Sequence, residues 1–318
     1  MKVLVTGGAG FIGSHLVDSL MNQGYHVRVV DSFSAGRIEN IKQWLNHPRF
    51  QLIKGDLRNP TVAVEAVKGV DIVYHLAANP EVRMSAQKPQ EIYENNVTVT
   101  YNLLEAMRKY NVKHIVFTSS STVYGEAKKI PTPEDYAPLE PISVYGASKL
   151  ACDALISGYA YTFKIKSLVL RLANIVGKRS NHGVIYDFIM KLRKNPKKLE
   201  VLGDGTQRKS YLHIRDCINA ILHLNKVFTG EDKLYDIYNV GSEDWITVRE
   251  IADIVVKEMG LENVEYYFTG GVDGGRGWLG DVKLMLLDIT KAKSKGWHPT
   301  MNSRDTVRRA AKELLNTL

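Results

Sequence analysis

Cysteine is scarce: Cys152 and Cys217 are the only two among 318 residues. Their separation fits neither metal-ligand spacing nor a disulfide framework, so both read as buried apolar thiols, and no metal is expected. No apolar run approaches the ~18 residues that cross a bilayer, so no membrane-spanning helix is expected. The start, "MKVLVTGGAG", enters a strand and a glycine turn where a signal peptide would carry its apolar segment and cleavage site. The expected location is therefore intracellular and cytoplasmic. Dense basic tracts are missing too. The net charge of +8 is dispersed, with only short clusters such as "KLRKNPKK" (Lys191 to Lys198), which speaks against nucleic-acid binding and for a small anionic partner. There is no internal repeat and no low-complexity linker. With 44% hydrophobic and 24% charged residues, the chain can bury a sizeable core.

What is present is a rhythm. Short apolar runs, "KVLVT", "HVRVVD", "FQLIKGD", "DIVYHLAA", "HIVFTSS" and "KSLVLRLAN", alternate with helical patterns that start near Phe11, Asn95 and Val144. Runs this apolar, separated by helices, predict a doubly wound α/β fold of Rossmann type, a parallel sheet covered on both faces. After about Asn174 the rhythm loosens into helical patterns near Val184, Ile214 and Thr247. A glycine cluster, "TGGVDGGRGWLGD" (Thr269 to Asp281), reads as a binding loop. Two domains follow, residues 1–173 for a nucleotide and a smaller α/β substrate domain at 174–318, with 214–246 returning to the first.

"TGGAGFIG" (Thr6 to Gly13) joins the first strand to the first helix, with Gly7, Gly10 and Gly13 spaced GxxGxxG. Glycines there let the backbone approach a pyrophosphate, whose charge suits the free amides of the following helix. Asp31 ends the second strand, where an acidic side chain accepts from an adenosine ribose and repels a 2′-phosphate, so NAD is preferred over NADP. Asp56, after the third strand, can contact the adenine amino group. Ala77 and Ala78 after the fourth are small enough for a dinucleotide to lie close. His75 reads as a packed or capping residue.

"TSSSTVYG" (Thr118 to Gly125) puts five hydroxyl residues at the end of a buried strand, and twenty residues past Gly125 comes "YGASK", Tyr145 to Lys149. On a helix, Tyr145 and Lys149 share a face, and an ammonium beside a phenol lowers its pKa. Alone, that spacing marks an exposed polar face. Combined with the glycine turn, Asp31 and the hydroxyl row, it resembles the extended short-chain dehydrogenase/reductase superfamily, and within it the nucleotide-sugar epimerases of the UDP-glucose 4-epimerase type. The resemblance runs to "GDVKLMLLDITKAKSKGW" (Gly280 to Trp297).

That resemblance implies a UDP-hexose 4-epimerase with tightly held NAD, acting on UDP-glucose and UDP-galactose and open to N-acetylated forms. Ser120 would donate to the sugar C4 oxygen, Tyr145 would remove its proton, and NAD+ would take and return the C4 hydride. The implied cofactor surface also takes in Phe11, Ile12, Ser32, Leu57, Leu76, Asn95 and Thr118, with Tyr145 and Lys149. Tyr124 reads as structural. Ser121 and Thr122 stand where the family's 4,6-dehydratases carry an Asp-Glu pair, and Thr122 where its decarboxylases keep a glutamate, so neither elimination is expected.

On the sugar-nucleotide side the resemblance assigns diphosphate contact to Asn174 and to a basic residue at Arg208 or Lys209. Trp278 occupies the place of a family arginine, which leaves Arg276 as the substitute, with Asp281 accepting from the ribose. Met285 stands at the position that limits the hexose pocket. Arg83 lies in the segment that faces the sugar and could meet a carboxylate or a salt-bridge partner outside the site. The alternatives are a UDP-glucuronate or GDP-sugar epimerase or reductase, and a non-catalytic NAD(H)-binding protein, which the intact Ser120, Tyr145 and Lys149 disfavour. A homodimer is an expectation from the resemblance.

Overall fold

The computed structural model describes residues 1–318. The first half alternates as the apolar runs predict: β1 (Lys2–Thr6), α1 (Phe11–Asn22), β2 (His26–Asp31), β3 (Phe50–Lys54), α2 (Pro60–Val67), β4 (Ile72–His75), α3 (Pro89–Tyr93), α4 (Val99–Lys109), β5 (His114–Ser120), α5 (Val144–Phe163) and β6 (Lys166–Leu172). Then come β7 (Asn174–Val176), α6 (Val184–Lys194), β8 (Lys198–Val201), β9 (Arg208–Lys209), β10 (Tyr211–His213), α7 (Ile214–Thr229) and β11 (Tyr235–Val240). The chain closes with β12 (Ile246–Thr247), α8 (Val248–Glu258), β13 (Glu265–Phe268), β14 (Leu284–Met285), α9 (Thr290–Ser294) and α10 (Ser303–Leu315).

Seven strands form the main sheet in the order β11-β6-β5-β4-β1-β2-β3, and each adjacent pair is parallel. Both faces are buried, and the period of two along each strand sorts its residues. Val3 and Val5 of β1 join the core shared with α1 and α7, while Leu4 between them joins the core under α2, α4 and α5. Arg28 is an exception within the apolar run of β2. It is buried and donates to the carbonyls of Ala66 and Lys68, satisfying the open C-terminal end of α2. A third core gathers α6, α8 and α10 around β8 and β10, away from the main sheet.

Two features differ from the sequence reading. The helical stretch expected from Asn95 to Tyr110 begins with a π-helical turn at Glu94–Thr98 before α4. Several strands, among them β7, β9, β10, β12 and β14, are only two or three residues long, too short for any periodicity to reveal. What positions a site is the reversal of strand order at β1, between β2 on one side and β4 on the other. Loops leaving the carboxyl ends of these strands diverge there and open a crevice.

Candidate active site

A cavity of about 1020 Å³ fills that crevice and runs on to the smaller core. Its floor is the β1–α1 turn. Gly7 has φ +66°, and a Cβ there would lie 2.9 Å from the Ala77 Cα; a Cβ on Gly13 would lie 2.1 Å from the Gly7 carbonyl oxygen. Only glycine permits so close a turn. Gly10 caps α1 without a side-chain hydrogen bond, and the first turn carries no acidic residue, so the helix's leading amides are open to an anion. Asp31 accepts from the Ala9 and Phe33 amides, each at 2.8 Å. Burial pushes its carboxyl pKa up and those two amides oppose the rise. Phe11, Ile12, Ser32, Leu57, Leu76, Ala78 and Asn95 line the same cavity. Asp56 lines it as well, in an exposed pair with Arg58 at 2.6 Å. A glycine cradle, uncapped helix amides and a carboxylate at the next strand's end fit a dinucleotide.

Beyond the cradle, β5 and α5 deliver the hydroxyls and the YxxxK pair. Ser143 caps α5 by accepting from the Gly146 amide at 3.0 Å, which sets Tyr145 and Lys149 on the first two turns, facing the cavity. Ser120 Oγ accepts from the Thr122 amide at 3.2 Å and from Thr122 Oγ1 at 2.9 Å. Its lone pairs are thereby engaged and its proton is left to donate. Burial pushes the Tyr145 phenol up to about 12, and the hydrogen bond with Ser120 opposes that. Lys149 Nζ donates to the Thr118 carbonyl at 2.9 Å and sits 4.7 Å from the Phe117 ring centre. The ammonium is thus anchored on the strand-end carbonyl, the nearest acceptor, and not on the phenol itself. Burial lowers its pKa, with Cys152 and Asp153 opposing.

The remaining motif residues sort by surroundings. Tyr124 donates to Asn239 Oδ1 at 2.8 Å and accepts from Arg171 at 3.0 Å, inside the fold. His75 is fully buried. On the sugar side Asn174, Lys209, Asp281 and Met285 all line the cavity, and Lys209 is paired with the buried Asp281 carboxylate. Arg208, its neighbour on β9, points to the other face of the strand, toward the Trp245 ring at 5.9 Å. Arg276 does not line the cavity either: it pairs with Glu126 at 3.0 Å, held there by the turn Val272–Arg276. Of the three cations that the sequence singles out, Lys209 is the one that lines the cavity in this structure. Sequence reasoning missed Asn181, His182, Tyr186 and Asp187, which line it from the loop before α6 and that helix's first turn. Their only signal is position, just past the short strand β7.

The model of the NAD dependent epimerase/dehydratase family matches residues 3–241. The chain belongs to that family, and its cofactor is NAD. A putative UDP-glucose 4-epimerase of Methanocaldococcus jannaschii is 35% identical over 99% of this chain and 98% of its own. A crystal structure of a UDP-galactose 4-epimerase superposes with a TM-score of 0.90 at 45% identity, covering 100% of both chains. The UDP-glucuronic acid 4-epimerase of Bacillus cereus, solved as a variant with a fluorinated UDP-glucuronic acid and NAD, gives a TM-score of 0.88 at 31% identity over 100% of both chains.

Proposed function

We propose that this protein is a UDP-sugar epimerase whose substrates are UDP-glucose and UDP-galactose, interconverted at C4. The observation that carries the reading is the convergence of Ser120, Tyr145 and Lys149 on one cavity that is continuous with the nucleotide cradle. NAD+ held by Gly7, Gly10, Gly13 and Asp31 supplies a reversible hydride acceptor. Tyr145 takes the proton of the C4 hydroxyl and later gives it back, and Ser120, whose oxygen accepts from Thr122, donates to the same sugar oxygen. Lys149, anchored on the Thr118 carbonyl, brings positive charge to the buried site and favours the phenolate. Burial of Tyr145 and Lys149 places both in a low-dielectric wall of the cavity, where the charge of the lysine is felt more strongly than in water. Residues 1–173 with 214–246 serve the cofactor, and the remainder serves the nucleotide sugar.

Met285 lines the cavity with little exposure, and its flexible thioether leaves room for an N-acetyl group. Arg83 lines the same cavity, in an exposed pair with Asp187 at 3.3 Å. The test is incubation of the purified protein, without added cofactor, with UDP-glucose, UDP-galactose, their N-acetyl forms and UDP-glucuronate, followed by proton NMR. The C4 epimer of UDP-glucose at unchanged mass is the expected product. Loss of water or carbon dioxide, or turnover of UDP-glucuronate alone, would overturn the assignment.

A further inference from the structure

Arg83 opens the short turn Arg83–Ala86 after β4, and its guanidinium lies over the Trp278 ring at 5.1 Å. The Lys209 ammonium lies over the same ring at 5.5 Å. All three line the cavity. Each cation has a carboxylate partner, Asp187 of α6 for Arg83 and Asp281 for Lys209, but the two pairs differ in kind. The Lys209 and Asp281 side chains are 16% and 3% exposed, whereas those of Arg83 and Asp187 are 52% and 37% exposed. An ion pair as open as the second contributes little and exchanges readily. Trp278, in addition, has its indole N–H buried with no acceptor, an orphan donor beside two cations.

We propose that Arg83, seated on Trp278, is the second cation of the site that takes the substrate's diphosphate, and that Asp187 holds it as a stand-in anion until the diphosphate displaces it. This rests on the UDP-sugar reading above. The planar fork of a guanidinium matches phosphate oxygens better than a single carboxylate contact at the protein surface. The indole face keeps that fork in place while it changes partners. Two cations from different segments, one on each side of the sequence, also neutralise a dianion more fully than Lys209 alone, whose charge Asp281 already meets.

A structural strut and an exchangeable placeholder give opposite signs when Asp187 is removed. Titration calorimetry of UDP and of uridine into the NAD-loaded protein distinguishes them. Arg83→Gln is expected to weaken UDP about tenfold and leave uridine unchanged. Asp187→Asn, which frees Arg83, is expected to tighten UDP about threefold or more. The inference is overturned if Arg83→Gln binds UDP within a factor of about two of the unaltered protein, or if Asp187→Asn weakens UDP as Arg83→Gln does. Failure of the unaltered protein to bind UDP would instead bring down the UDP-sugar reading, and this inference with it.

Discussion

A phenol that burial pushes up to about 12 is a weak base at neutral pH unless its anion is stabilised where it forms. Ser120 acts on the phenol in that direction, and Lys149 holds a charge one helical turn away. The Lys149 ammonium is fixed on a carbonyl, and the Asp153 carboxylate favours the charged form of that lysine. If Tyr145 is the base, Tyr145→Phe removes the proton path and leaves the packing of the ring intact. Turnover is then expected to fall by about 10²–10⁴-fold, with bound NAD and UDP affinity unchanged. Ser120→Ala, which removes one donor, is expected to cost roughly ten- to a hundredfold. The measurement is kcat with UDP-galactose by coupled assay, alongside the retained NAD. A Tyr145→Phe protein with more than about a tenth of the original kcat would assign the proton to another group.

At the scale of elements, the β1–α1 turn carries the firmest expectation. A methyl at Gly13 would approach the Gly7 carbonyl oxygen at 2.1 Å and the Gly8 Cα at 2.9 Å, so Gly13→Ala must open the turn that presents α1's first amides. Purified Gly13→Ala protein is expected to retain less than about a tenth of the NAD while keeping its far-ultraviolet dichroism, checked by nucleotide extraction and chromatography. Full retention of NAD would place the pyrophosphate elsewhere. This turn was legible in the sequence because local geometry alone demands glycine at Gly7 and Gly13. Equally legible were β1, β2, β4, β5 and β6, whose apolar runs are buried on both faces, and the start of α5, set by the Ser143 cap. The short strands were not, because residues such as Arg208 and Lys209 pair with Thr247, Ile246 and Met285, partners that no local pattern announces. For the same reason the sequence offered Arg208, Lys209 and Arg276 as equals. Which of them faces the cavity depends on the pleat of β9 and on Glu126, 150 residues from Arg276.

Across the whole molecule, one buried histidine ties the sheet to the helix layer beside Lys149. The Thr6 hydroxyl oxygen accepts from the Leu76 and Ala77 amides, so its proton goes to His75 Nδ1 at 2.8 Å. Thr100 Oγ1 donates to the Asn96 carbonyl at 2.7 Å, so it accepts from His75 Nε2 at 2.9 Å. This network assigns the neutral tautomer with its proton on Nε2, and a second proton on Nδ1 would face a donor. Burial and the charge of Lys149 lower the His75 pKa to about 3 from an ordinary 6.5, and burial takes His114 to about 4. Below about pH 6.5 the unfolded chain holds more protons than the folded one, so the stability these histidines contribute is present in full above about pH 6.5 and falls as the pH drops toward 3. The Asp31 and Asp153 carboxyls, raised by burial, act in the opposite sense. The informative quantity is therefore the difference between the unaltered protein and His75→Gln, whose amide can keep one donor and one acceptor. Urea midpoints measured from pH 7.5 to 5 should fall more steeply for the unaltered protein than for His75→Gln. Parallel curves would mean that His75 is not held neutral by this network.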